Sequence, residues 1–438
     1  MRYLVTALLC ISQLRAADPD GWPRWRGPFD NGVAKGDAPI EFSDTKNVSW
    51  KVKIPGRGFS SPVLWGDRIY LTTAIPLADP PAPKQEGGRR GGPGGGAGSG
   101  IEHRFVVLCL SRKDGHVIWE RAVKTATPHE GYHFRYGSFA SNNAVTDGKR
   151  VYTFFGSRGA FVFDMDGKPL WQKDYEPMKM RLAFGEGTAA VVHGDKLILN
   201  FDQEQNSHLD VLDAATGKVI WKVTREEESA WAAPLVIDYK GKKQLITSAT
   251  KRVRSYDLET GKLIWECAGL GPNVIPAPVV QGDVVYVMSG FRDPNLMAIR
   301  LDRTGDLTGT DAILWQNKRG NSYTPSPVLH EGKLYFVSDN GMLSCLNAKT
   351  GEPYYQARLP KPYNLKASLV AANGHLYLST EEGDVLVVKM GDKFEVLATN
   401  TFADQSFIST PAIADGELYL RSQDTLYCIK GRQGTRSE

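Results

Sequence analysis

One motif, repeated along nearly the whole chain, constrains the fold more than any other feature. It opens with Pro-Val or a variant, passes a tight turn, and enters an apolar strand that often ends in Tyr. Copies stand at 62–70 (PVLWGDRIY), 144–152 (AVTDGKRVY), 190–198 (AVVHGDKLI), 278–286 (PVVQGDVVY), 327–335 (PVLHEGKLY), 369–377 (LVAANGHLY) and 411–419 (PAIADGELY), with a longer-turned copy at 234–246 (PLVIDYKGKKQLI), eight in all. A second half follows: Asp114-Gly115…Trp119, Asp166-Gly167…Trp171, Thr216-Gly217…Trp221 and Thr260-Gly261…Trp265. Tyr355 takes the Trp place after Thr350-Gly351, and Trp315 follows a longer loop containing Gly309. Each Gly supplies the positive φ of a tight hairpin. The segments between turns are short, alternating and β-branched, which is strand chemistry. From the second copy onward the copies start 42–49 residues apart. Four short strands at that period are the sequence form of a propeller blade.

The ends of the chain complete the pattern. The last copy, over 408–430, carries three strands and lacks a Trp strand. That strand stands at the other end, as 47–54 (NVSWKVKI) with Trp50. The expected fold is therefore all-β: an eight-bladed β-propeller of four-stranded antiparallel blades, closed by the N-terminal strand, which removes an open edge. The propeller is expected over 45–431, after a leader (1–16) and an N-terminal extension (17–44), with a short tail at 432–438. One large aromatic per blade at a fixed place reads as packing between neighbouring blades.

The N-terminus reads as a secretory signal. Arg2 is the positive n-region, 3–12 (YLVTALLCIS) the apolar core, and Ala16 and Ala17 the small residues of a cleavage site after Ala16. A periplasmic or secreted location is expected. The apolar run is too short to span a bilayer, and no other stretch approaches the required length. The formal net charge of +4 falls further without Arg2 and Arg15, so nucleic acid is not an expected partner. Beyond the leader, the cysteines are Cys109, Cys267, Cys345 and Cys428. Cys109, Cys345 and Cys428 fall at one strand position in three different blades, too far apart to bridge. They read as small buried hydrophobes.

The form D-x-x-T-G-K-x-x-W, at 213–221 (DAATGKVIW) and 257–265 (DLETGKLIW), resembles the Trp-docking repeat of PQQ-type (pyrroloquinoline-quinone) propellers across roughly 45–431. The resemblance implies one of two branches: quinoprotein dehydrogenases, or non-catalytic propellers similar to BamB, which scaffold partners in outer-membrane assembly. The segments 22–28 (WPRWRGP) and 394–400 (FEVLATN) are also similar to secreted PQQ-like repeat proteins. A quinoprotein dehydrogenase holds its quinone against a disulfide of adjacent cysteines. It polarises the quinone with Ca²⁺ and uses a carboxylate as base. This chain has no Cys-Cys pair and no C-x-x-C-H haem site, so no catalytic residue carries over. No cofactor and no metal are expected. PQQ with calcium is the alternative that the resemblance alone implies, for a minimal oxidoreductase acting on an alcohol or sugar.

Three segments fall outside the repeat. The stretch 76–100 (PLADPPAPKQEGGRRGGPGGGAGSG) is a low-complexity insertion expected to form a flexible loop. The stretch 302–311 (DRTGDLTGTD) lacks the EF-hand spacing and reads as a polar turn. The stretch 125–139 (TATPHEGYHFRYGSF) joins the first two blades and is rich in His and aromatics. His129 and His133 stand four apart, but the surrounding Gly and aromatics read as a loop and not as a shared helix face, and no G-x-S-x-G elbow occurs.

What a propeller offers is a ring of loops on a rigid scaffold. The segments preceding the innermost strands carry Arg57, Phe59, His133, Tyr136, Glu186, Trp231, Asn273, Asn321, Tyr323 and Phe407. Aromatics mixed with amides and Arg favour recognition. The expected function is a non-catalytic exported scaffold, monomeric, that binds an envelope protein, a peptide or a glycan through this ring.

Overall fold

The computed structural model describes residues 21–78 and 95–431. The expected leader and the tail at 432–438 lie outside the described residues. Eight four-stranded antiparallel sheets follow one another in a ring, so the expected propeller stands. Blades 1 to 8 span 63–126, 145–173, 191–224, 235–267, 279–317, 328–358, 370–401 and 412–430. The eighth is completed by Val48–Lys53, which pairs antiparallel with Thr425–Lys430 in the register Trp50↔Cys428. The ends therefore meet as expected: the amide of Ile54 donates to Asp424 and that of Lys430 to Asn47.

The repeat is a docking device between blades. In the Asp-x-x-Thr-Gly turn, Asp213 Oδ1 accepts from the Thr216 amide (2.8 Å) and hydroxyl (2.6 Å), and Asp257 holds Thr260 likewise. The glycine then takes φ +71° at Gly217 and Gly261. The Trp of the preceding blade lies flat against that glycine. A Cβ on Gly217 would stand 2.7 Å from Trp171, and one on Gly261 2.8 Å from Trp221. Each indole N–H also donates across the seam: Trp50 to Arg112 O, Trp171 to Ala214 O, Trp221 to Leu258 O and Trp315 to Ala348 O, at 2.9–3.1 Å. Trp265 is the exception. It is fully buried and its indole N–H has no acceptor among the described residues, because blade 5 replaces the tight turn with the 302–311 insertion.

That insertion is more than the expected polar turn. Gly305–Asp306 adds a fifth strand, parallel, to the outer edge of blade 4 at Trp265–Glu266. The Leu307 amide donates to Glu266 O, and Arg252 ties Glu266 to Asp306. The 76–100 segment also departs from a plain loop at its ends. Pro76 closes a strand of blade 1, and Gly95–Ala97 pairs with Tyr132–His133. Residues 79–94 lie outside the described ones.

The cores lie between and within blades. Tyr70, Tyr152, Tyr335, Tyr377 and Tyr419 are fully buried, and Tyr70, Tyr286 and Tyr419 pack against Trp119, Trp315 and Trp50. The four described cysteines are buried and unpaired, as the repeat register required.

Candidate functional site

The two faces of the ring differ. On the face of the short inner turns, the N-terminal extension runs across the channel mouth. Trp22 bridges Leu64 of blade 1, and Pro23 O accepts from Thr146 of blade 2. Arg26, buried, then reaches the far side and donates to Leu369 O (2.9 Å) and Pro327 O (2.7 Å). Burial pulls its guanidinium down to about 9. Val33 bridges Ala371 of blade 7. The extension is thus a strap that seals one end of the channel.

Above the strap, on the face of the blade-to-blade linkers, is a cavity of about 190 Å³. Trp25 contributes from the strap, its indole N–H held by Thr410 Oγ1 at 3.0 Å. The walls are largely aromatic: Phe59, Phe184, Trp231 and Tyr323, with Ile275 and Ile408. Trp231 is fixed by its indole N–H donating to Gly185 O (2.8 Å). His133 stacks on Tyr136 with centroids 3.7 Å apart and rings 13° from parallel.

The loop carrying this stack, 131–138, arches over the cavity towards the opposite half of the ring. On its own side, Arg57 donates to Gly137 O (3.1 Å) and the His133 amide to Phe184 O (3.1 Å). On the far side, Arg135 pairs with Glu381 of blade 7 at 3.3 Å. Lys366, in the linker from blade 6 to blade 7, lies 4.8 Å from the Tyr136 ring centroid.

The charged groups around the cavity are already engaged. Glu186 accepts from the Ser157 amide and hydroxyl and pairs with Arg158 at 2.8 Å. Lys366 Nζ is 2.6 Å from Asp339 Oδ2. Asp339 also accepts from the Tyr323 and Thr324 amides and the Thr324 hydroxyl. Burial, then Lys366 and Arg135, lower His133 to about 4, so its ring is neutral at neutral pH. Among the described residues, no three His, Cys, Asp or Glu side chains are placed to hold a metal ion. The donor set does not fit a quinone with calcium. Among the described residues, the one carboxylate lining the cavity is spent on Arg158 and Ser157, and the one lysine on Asp339.

Six of the residues singled out in the sequence come together at this cavity: Phe59, His133, Tyr136, Glu186, Trp231 and Tyr323. Four do not line it. Arg57 supports the arch and lies over Phe59 and Tyr132. Asn273 is buried and hydrogen-bonds the Tyr323 hydroxyl. Asn321 folds back on Asn317 O (2.7 Å). Phe407 is fully buried against Phe402. The linker position was legible, but whether each side chain turns inward was not. Trp25 and Lys366 were missed. A Trp in 22–28 with no place in any blade was the available sign for the first.

Comparison with known proteins agrees with this architecture. BamB from Yersinia pestis is 23% identical over 346 residues, which is 75% of this chain and 80% of that protein. The crystal structure of BamB from Moraxella catarrhalis superposes with a TM-score of 0.57 at 12% identity, covering 88% of this chain and 97% of the other. A europium-containing methanol dehydrogenase superposes at 0.64 with 11% identity, covering 92% and 89%. Likeness at that identity carries the fold alone, so it does not separate scaffold from dehydrogenase. The family model for the outer membrane protein assembly factor BamB matches residues 205–437, more than half of the sequence. With the closed ring of Trp-docked blades, that match places this chain in the BamB family of PQQ-type β-propellers.

Proposed function

We propose that the protein is a non-catalytic, exported scaffold that binds an envelope protein through the linker face. The observation that carries this reading is the cavity itself: aromatic, half-enclosed, and with its acid and its lysine both neutralised by neighbours. General acid–base catalysis needs a group free to exchange a proton with substrate, whereas recognition needs buried aromatic anchors. The rim supports the same reading. Phe134 is 61% and Leu182 56% exposed beside the mouth. Leu182 and Ala183 both hold left-handed φ, +49° and +51°, and such strain on non-glycine residues clusters at functional sites.

The test is a photo-crosslinking amino acid at Leu182 and Phe134, with Phe29 on the strap face as control. Cross-links to one envelope protein from the first two positions alone are expected. Equal labelling from Phe29 would remove the linker face from consideration. The rival reading, a minimal quinoprotein oxidoreductase, is tested by adding PQQ and Ca²⁺ to the purified protein. Bound-quinone absorbance with dye reduction on an alcohol or sugar would overturn the scaffold reading.

A further inference from the structure

We infer that the axial cavity is a socket for a single neutral aromatic side chain, carried on an extended segment of the partner and admitted beneath the 131–138 arch. This rests on the scaffold reading and specifies what it binds. Size comes first. An apolar cavity of about 150 Å³ takes one benzene, and this one is of similar volume, about 190 Å³. Drug-sized ligands and cofactors occupy roughly 300–1,000 Å³. The space fits one ring and little more.

Charge comes next. A ring entering here meets Trp25 from the strap, with Trp231 and Phe59 among the walls. Edge-to-face and offset contacts with these faces favour another aromatic. Among the described residues no unpaired ionic group faces it, since Glu186 is held by Arg158 and Lys366 by Asp339. A charged ligand would find no counter-ion. A small neutral molecule would find little to orient it. A ring tethered to a chain is oriented by that chain, which runs over the rim where Phe134 and Leu182 stand exposed.

The arch sets access. It is anchored on its own side by Arg57 and Phe184, but on the far side by an ion pair whose arginine is exposed, Arg135–Glu381, and by Lys366 over Tyr136. Arg135 is 56% exposed, so water and salt compete for its guanidinium even though Glu381 is largely buried, and this far contact is the one that salt loosens first.

The probe is N-acetyl-Gly-Phe-Gly-amide added to protein carrying 5-fluorotryptophan, with the Trp25 and Trp231 resonances assigned by single Trp→Phe variants. Saturable shifts of both resonances are expected, with the Leu analogue weaker by about tenfold or more, 1.4 kcal/mol at equilibrium. Gly187→Leu should abolish the shifts. A Cβ there makes only ordinary contacts, 3.5 Å to Trp231 and 3.7 Å to Ser141, so the backbone accepts a side chain that fills the socket. Arg135→Ala should speed ring exchange without changing the resonances shifted. Absence of shifts up to the solubility limit would overturn the socket, whatever the variants do. So would binding of free phenol with exclusion of the peptide, which would assign the cavity to a small molecule. Rim cross-links that persist without ring binding would sink the socket and spare the scaffold. Ring binding without any rim cross-link would sink the scaffold reading instead.

Discussion

Replacing Gly217 with alanine should destabilise the protein well beyond the ordinary cost of alanine in a left-handed turn. Two effects add. The turn holds φ at +71°, and a non-glycine residue pays about 1–2 kcal/mol there. The new Cβ would also stand 2.7 Å from Trp171 Cε3, a separation that real Cβ atoms do not tolerate. The indole must move, straining its hydrogen bond to Ala214 O, and overpacking of this kind costs about 1–3 kcal/mol. The expected total is about 2–5 kcal/mol. Gly194→Ala isolates the first effect, because Gly194 has φ +60° and a Cβ added there would meet nothing within 4 Å. It should cost about 1–2 kcal/mol. Urea denaturation at unchanged m-value measures both. A double-mutant cycle with Trp171→Ala should recover the contact as a coupling energy of about 1–3 kcal/mol. If Gly217→Ala costs no more than Gly194→Ala, the glycine serves the turn alone and the blade-docking argument fails.

Other consequences follow from the same contacts. Trp50→Ala removes the indole that docks the N-terminal strand on Gly115 and Arg112 O, and should lower stability by about 3–5 kcal/mol in the same denaturation. Arg112 latches blade 1 to blade 8, reaching Tyr419, Asp415 and Glu417. Arg112→Ala leaves the mostly buried Glu417 without this partner and should cost about 3 kcal/mol, measured as a lowered melting transition. His133 holds its proton less tightly in the fold, at about 4, than in the unfolded chain. Its contribution to stability is therefore complete above about pH 6.5 and is lost as pH falls from there towards 4. An NMR titration should place its midpoint near 4, and a midpoint near 6.5 would mean that the arch does not bury it.

The blades were legible because one physical requirement recurs in every unit. A tight turn needs Gly, the preceding blade's Trp needs that Gly bare, and the spacing between them is fixed by strand length. Closure was legible for the same reason: Trp50 had the blade's strand around it and no blade of its own. The site was legible only as an address. The linkers were identifiable, but the inward turn of Trp231 and the outward service of Arg57 depend on backbone hydrogen bonds to Gly185 O and Gly137 O, which no local pattern announces. The role of 22–34 depends on contacts with residues more than 300 positions away, such as Arg26 with Leu369. The fifth strand at Gly305–Asp306 depends on an edge that happens to be uncovered in blade 4.

The N-terminal segment ties these levels together. Residues 22–34 seal the channel and supply Trp25 to the cavity, and Val48–Lys53 completes blade 8. Between them, Phe42 and Ile40 are held by Asn400 of blade 7. One continuous stretch therefore closes the ring and makes part of the socket. Asn400 bonds both the Phe42 amide and Ile40 O, so movement of Val48–Lys53 out of blade 8 pulls on a segment anchored to the outermost strand of blade 7, the blade whose innermost strand bridges Val33. Closure of the ring and integrity of the cavity are then coupled through about fifteen residues of backbone, within the reach of an extended chain. A variant that weakens closure, such as Trp50→Ala, should accordingly broaden the Trp25 resonance before it affects that of Trp231, which hangs from blade linkers alone.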